Sequence, residues 1–284
     1  MRIGIGLPNQ VRGAEPAIIP SWAAAAERAG FGTLATVGRI AYPGVMDTVA
    51  LAAAAASTDS AELLAAVALG PVWPPVLLAK EAAGIDAVSG GRLTLGLGVG
   101  LRPDDFVVDG LGMAARGKRL DQDLDVYRRV WKGEPVGGGP SPGVTPGARE
   151  IPVMFGGGVA AAYERVARRG TGYIGPSVPA AMVAPLFEGT RAAWDEAGRE
   201  GSPRLVAIAY FALGDPEQGR GNVWDYYSIS GSDVAGLITG GVAAGPDGVR
   251  ETVKAFGDIG ATDIILNPTV GDQDEIARLA DIVL

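Results

Sequence analysis

The stretch Asp86–Gly100, DAVSGGRLTLGLGVG, decides the fold. It reads as a helix end, a tight Ser89-Gly90-Gly91 turn, a strand from Arg92 to Gly98 and a glycine-rich exit. The strand is apolar enough to be buried on both faces, as in a parallel sheet. Gly96, Gly98 and Gly100 remove side chains where it leaves the sheet, and backbone without Cβ atoms admits positive φ and the close approach of a flat ligand. The same glycines equally serve a tight strand-to-helix turn with no ligand. A dinucleotide-binding fingerprint does not fit. From Gly98 the run is G-V-G-L-R-P, with Pro103 in place of the third glycine, and the first turn, Gly4 to Asn9, fails in the same way.

Outward from this unit the chain alternates strand and helix. Strands are expected over Arg2–Leu7, Thr33–Val37, Glu62–Leu69, Arg92–Gly98, Ile151–Phe155, Thr171–Ile174, Arg204–Leu213 and Thr262–Leu266. Helices fall between them, over Glu15–Ala29 (closed by Gly30), Asp47–Ala56, Val76–Val88, Lys118–Trp131, Ala160–Arg169, Ala180–Ala197, Gly248–Ile259 and Gln273–Leu284. Leu120, Leu124, Tyr127 and Trp131 lie on one helical face. Gly133 to Gly147 is a Gly- and Pro-rich stretch expected as a long surface loop. Asp215 to Gly245 fits the alternation least well and ends in a helix near Gly240. Eight strand–helix units with short turns predict an α/β fold, a single (β/α)8 TIM barrel over residues 1–284, with an irregular insertion before the last helix–strand pair. An open doubly wound sheet would more often carry a phosphate turn near the N-terminus, and none is found.

Composition narrows the chemistry. The 284 residues are 48% hydrophobic and 20% charged, which is globular. A net charge of −8 opposes a general nucleic-acid surface. There are no cysteines, hence no disulfides or thiolates, and no histidines, which removes the commonest general base and metal ligand. Ser-His-Asp catalysis and a His-ligated zinc site are excluded, and no carboxylate cluster is spaced for magnesium. Met1-Arg2-Ile3 runs directly into a strand, and no apolar stretch is long enough to span a bilayer, so the expectation is a cytoplasmic protein acting on a small molecule, without a membrane or metal.

SGGRLTLGLGVG, preceded by PPVLLAKEAAGIDAV, resembles the signature of the bacterial luciferase-like flavin-dependent oxidoreductases, which use FMN or the deazaflavin coenzyme F420. MRIGIGLPN, AERAGFGTLATVGR, RGKRLDQDLDVYRRVWKGE, IPVMFGGG and GVRETVKAFGDIGATDIILNP resemble further blocks of that family in the same order. The resemblance implies a luciferase-like barrel, and dimers are common in the family, although no stretch of this sequence marks an interface.

In such a barrel ligands lie at the carboxyl ends of the strands. The groups expected there are Asn9, Arg39, Leu69-Gly70-Pro71, Gly98-Val99-Gly100 and Gly156-Gly157-Gly158. The triple glycine follows a strand and opens a helix, where backbone N–H groups and the helix dipole suit a phosphate. The resemblance assigns it to the cofactor phosphate; the bland alternative is a turn packed on a neighbouring loop. In F420-using relatives a bulge with a cis bond at the end of strand three backs the deazaflavin ring, which points to Leu69, Gly70 and Pro71, with a Gly70–Pro71 cis bond or an ordinary turn there. Gly38 and Arg39 stand where many relatives carry aspartate and histidine, and Leu101 where some carry glutamate. Arg39 cannot be a base at neutral pH, so its expected role is to hold an anionic substrate, a reduced-flavin anion or an acidic cofactor tail, against a plain solvated arginine. Asp104 is a candidate acid or equally a helix cap. Tyr42 and Trp73, with Trp224, Tyr226 and Tyr227, are candidates to wall a substrate pocket.

Two functions follow from the resemblance. One is hydride transfer between reduced F420 or FMN and a small organic substrate, or monooxygenation with FMN; short length and the missing histidine favour F420. The other is a flavin-binding barrel without catalysis, motivated by the altered Arg39 and Leu101 positions.

Overall fold

Strand β1 (Arg2–Gly6) closes a ring, because it pairs in parallel both with β2 (Thr33–Thr36) and with the C-terminal β9 (Asp263–Pro268). From β2 the order continues through β3 (Glu62–Leu69), β4 (Leu93–Gly98), β5 (Val153–Gly156), β6 (Gly172–Ile174) and β7 (Arg204–Ala212), and β7 pairs with β9. The two-residue β8 (Ala243–Ala244) only extends the end of β7. The result is a closed eight-stranded parallel barrel inside a ring of helices, the (β/α)8 architecture that the alternating pattern predicts. The computed structural model describes all residues except 108, 109, 111, 138, 139, 141 and 146.

Both strand faces are apolar because both are covered. Outward side chains such as Ile5, Leu63, Leu95, Phe155 and Leu266 pack against the helices. Inward ones, including Leu64, Met154, Val206 and Ile265, fill the barrel's middle. The α5 helix (Arg116–Trp131) buries Leu120, Leu124, Tyr127 and Trp131, the face read from its spacing.

Some boundaries differ from those expected. The α1 helix (Ile18–Arg28) begins after Pro16, since the residue before a proline is biased away from helical backbone, and turn bonds fill residues 15–19 instead. The insertion after β7 is helical: α8 (Pro216–Tyr227), a 3₁₀ turn (Ser228–Ser230) and α9 (Ser232–Gly240). Of the loop expected over 133–147, residues 138, 139, 141 and 146 lie outside the described residues. Among the described residues no helix is long and apolar enough to cross a membrane.

The amino end of the barrel is closed by charge. Arg204 donates from Nη2 to Asp263 Oδ1 at 2.8 Å and to Glu62 Oε2 at 2.9 Å, and Thr94 donates to Glu62 at 2.8 Å. Asp263, buried, also receives Arg2 at 2.8 Å. Removing Arg204 leaves carboxylates buried without their central cation, a loss worth about 3–5 kcal/mol. Arg204→Met is therefore expected to lower the urea unfolding free energy by about that amount.

Candidate functional site

The carboxyl end of the barrel is shaped by a slip in β3. Ala65 lies opposite Leu95 of β4, but Ala68 lies opposite Leu97, so β3 carries one residue more than its partner. This is a β-bulge. A cis peptide bond lies in it, between Ala66 and Val67. Val67 is thrown into the barrel mouth, half-buried, and three strand-end glycines converge on it. A Cβ on Gly98 would sit 2.7 Å from Val67 Cγ2, one on Gly156 would sit 3.8 Å from Cγ1, and one on Gly38 would strike the Val67 carbonyl. The mouth stays partly open here: Gly38, Val99, Gly100 and Gly156 are half-buried, whereas the β4 residues below them are buried.

One strand over, Gly157 and Gly158 are exposed and lead into α6 (Ala160–Arg169). Gly157 has φ +132° and its carbonyl accepts from Tyr173 at 2.9 Å. The helix has no side-chain cap and no acidic residue in its first turn; Ala162 N–H turns back to the Val159 carbonyl at 2.8 Å, and no described side chain accepts from the N–H groups before it.

Several expected site residues are committed elsewhere. Asn9 is only 1% exposed; its Nδ2 donates to the carbonyls of Val37 at 2.9 Å and Val45 at 3.1 Å, and its Oδ1 accepts from Val37 N at 3.2 Å. It clamps the β2 exit, and both of its N–H donors are used there. Arg39, 2% exposed, has its guanidinium engaged by the protein's own carboxylates rather than lying as a solvated arginine. Its Nε donates to Asp105 at 3.0 Å, its Nη2 to Asp104 at 2.7 Å and its Nη1 to the Tyr226 carbonyl at 3.3 Å. Asp105 also accepts from the N–H groups of Ile40 and Ala41 at 2.8 and 2.9 Å. Asp104 is accordingly a salt-bridge partner at the start of α4 (Asp104–Val107), not a free acid. Tyr42 donates to Asp225 at 2.8 Å and meets the edge of Tyr226 at 5.0 Å, which pins the loop after β2 to α8.

The segment Gly70–Val72 is a 3₁₀ turn with a trans Gly70–Pro71 bond, and it faces α5 rather than the mouth. A Cβ on Gly70 would lie 2.7 Å from Leu120 Cδ1, and Pro71 is buried with it. Trp73 packs on the core beside that turn. Leu69 is buried and lies near Gly100, where a Cβ would be 3.7 Å from Leu69 Cδ2; Gly100, at φ +75°, makes room for Phe106.

The sequence reading missed Val67, Asp47, Arg102 and Tyr210. Tyr210 stands at the inward end of β7, and its hydroxyl lies 3.1 Å from that of Tyr227. Burial pushes the Tyr210 and Tyr226 phenols above their ordinary range, so both stay protonated at neutral pH. Arg102 places its guanidinium 4.9 Å from the ring centres of Tyr226 and Tyr227. Asp47, 3% exposed at the start of α2 (Asp47–Ser57), puts Oδ2 3.2 Å from where a Cβ on Gly38 would be. Among the described residues no group of three or more metal-ligating side chains occurs.

The chain matches the luciferase-like monooxygenase family over residues 1–263, and it belongs to that family. An uncharacterized protein of Mycobacterium tuberculosis (strain H37Rv) is 33% identical over 169 residues, 56% of this chain and 60% of the relative's own length. The oxygenase component of a flavin-dependent trigonelline monooxygenase from Acinetobacter baylyi is 34% identical over 68 residues, 23% of this chain and 19% of that one. An F420-dependent secondary alcohol dehydrogenase superposes with a TM-score of 0.81 at 14% identity, covering 99% of this chain and 98% of its own. A type II Baeyer–Villiger monooxygenase from Pseudomonas putida, solved with FMN, gives 0.75 at 16% identity over 99% and 95%. These two likenesses are of fold.

Burial raises the Asp47 carboxyl to about 6, with Glu81 adding to the rise. Between pH 4 and 6 the folded chain keeps a proton that the unfolded chain has released, so this group's contribution to stability falls as pH rises and is lowest above about pH 6. Asp47→Asn is expected to match the wild type at pH 4 and to exceed it by up to about 3 kcal/mol at pH 8 in urea unfolding.

Proposed function

We propose that this protein is an oxidoreductase that holds a flavin-type cofactor, coenzyme F420 in preference to FMN, across the mouth of its barrel and passes a hydride between it and a small organic substrate. The observation that carries this reading is the mouth itself: Val67 on the β3 bulge, walled by glycines, half-open above, and one strand away from an uncapped helix start. The preference for F420 rests on the family resemblance, through the short chain without histidine.

The residues present fit such a group. Gly38, Gly98 and Gly156 carry no side chain into the space beside Val67, so a flat ring would meet backbone and one aliphatic side chain. The N–H groups opening α6 suit a phosphate, drawn by the positive end of the helix. When bound, the cofactor supplies the hydride; the protein supplies position and dryness. Tyr226 and Tyr227, brought in by α8, cover the mouth on the β7 side. The buried phenols of Tyr210 and Tyr226, which stay protonated at neutral pH, provide hydrogen-bond donors for a substrate oxygen as it gains charge, a task that Arg39 and Asp104, bound to each other, do not perform.

A second reading is a cofactor-binding barrel without turnover. It is favoured by the commitment of Arg39 and by Leu101, which is 80% exposed and apolar.

Titration of FMN and F420, followed by cofactor absorbance and fluorescence, tests the proposal. At least one cofactor should bind, F420 the tighter, and Gly98→Leu should weaken it at least tenfold by pushing a side chain into Val67. Absence of affinity for both, or unchanged affinity in Gly98→Leu, would overturn it. Anaerobic assay of reduced cofactor against a panel of carbonyl compounds separates the two readings, since only the first predicts oxidation.

A further inference from the structure

We propose that Arg102 is the specificity-determining residue of this mouth and that it takes a carboxylate carried by the substrate; the proposal deepens the oxidoreductase reading and rests on it for the word substrate.

Charge pairing around the mouth singles this residue out. Arg39 is held by Asp104 and Asp105, Arg12 by Asp225, and Arg116 by the carbonyls of Gly100 and Met113. Asp105 Oδ1 is saturated by Arg39 and two backbone N–H groups, so Asp105 acts on Arg102 through its charge and not through a hydrogen bond. Arg102 forms neither a hydrogen bond nor an ion pair with any described residue, and its Nε is shielded from solvent without an acceptor. Its contacts are the rings of Tyr226 and Tyr227, each 4.9 Å away. Ring faces stabilise the charge, but they give the shielded Nε–H no oxygen to bind, while the half-buried side chain leaves its terminal nitrogens free of any described protein acceptor. A buried donor left in that condition is costly, so an acceptor that fills the fork gains strongly.

Position makes the fork a substrate group. Residue 102 leaves the barrel from β4, while Tyr226 and Tyr227 arrive from β7, and β5 and β6 separate those strands around the ring. The guanidinium therefore bridges the opening rather than lying on its rim. Beside it, the hydroxyls of Tyr210 and Tyr227 sit 3.1 Å apart at the top of β7. A planar two-pronged cation, aromatic faces and hydroxyl donors match a planar carboxylate, which accepts two parallel N–H bonds from arginine. A phosphate finds its better site elsewhere on this chain, at the open start of α6.

The test compares acids with their neutral amides: benzoate against benzamide, and nicotinate against nicotinamide, titrated calorimetrically into the full chain with and without FMN or F420. The wild type should bind at least one acid ten or more times tighter than its amide, with the preference shrinking as salt is raised. Arg102→Met should abolish the preference, Arg102→Lys should retain part of it with the fold intact by circular dichroism, and Lys254→Gln, exposed on α10 (Gly245–Asp258), should leave it unchanged. Equal or undetectable binding of acid and amide by the wild type, or a preference that survives in Arg102→Met, would overturn the proposal. So would an Arg102→Met variant whose cofactor affinity collapses while its acid preference stands, because the arginine would then serve the cofactor. Failure of the wild type to bind either cofactor would sink the oxidoreductase reading, while the acid–amide comparison would still decide Arg102.

Discussion

The extra residue in β3 is the constraint on which the mouth depends. By slipping the pairing with β4 between Ala65 and Ala68, it turns Val67 from a wall residue into a floor for the opening. Two neighbouring strand ends must then yield. Gly98 of β4 and Gly38 beyond β2 each lie where a Cβ would press on Val67 or its carbonyl, so that part of the glycine pattern at the strand ends is imposed by the bulge itself, whereas a Cβ on Gly156 of β5 would only touch Val67. A barrel filled by large inward side chains is a packed core with no room for a ligand. Here the inward row is trimmed to backbone at its carboxyl end on one side, and that is where it stays partly open.

Charge fastens what lies above the floor. Arg39, Asp104 and Asp105 join the β2 exit to α4, and the Arg39 bond to the Tyr226 carbonyl brings in α8. Tyr42, Asp225 and Arg12 repeat the link nearer the surface. Ion pairs this buried gain little over apolar packing, but removing one partner is expensive, so their effect is to fix which loops meet. At the other end of the barrel Arg204, Glu62 and Asp263 do the same for β3, β7 and β9. Between these two charged layers the interior is apolar.

The barrel was legible in the sequence because its strand–helix alternation is local: apolar runs, glycine helix ends and the amphipathic face of α5 each announce themselves within about fifteen residues. The site was less so. Val67 sits in ELLAAVALGP, an unbroken apolar run with nothing to mark a bulge, whereas Gly70 and Pro71 attract notice as turn formers and prove to pack on α5. Asn9 and Arg39 look like ligand groups at strand ends, yet their partners include backbone carbonyls and carboxylates 28 to 187 residues away, which no local pattern shows. Arg102 lay beside the singled-out Leu101, but its ring contacts come from residues more than a hundred positions on, in the one segment that broke the alternation. The glycines after β4 and β5 stand out in the sequence because the absence of a side chain is visible there, while the pairing of charges is not.

The central claim is that a flat cofactor rests on Val67 in the gap left by the strand-end glycines. A crystal structure of the protein soaked with F420 or FMN tests it most directly. The account predicts ring density in van der Waals contact with Val67, between Gly38, Gly98 and Gly156, with the phosphate at the start of α6. Ring density outside the barrel mouth, or a mouth closed by protein side chains while the cofactor binds elsewhere, would contradict it.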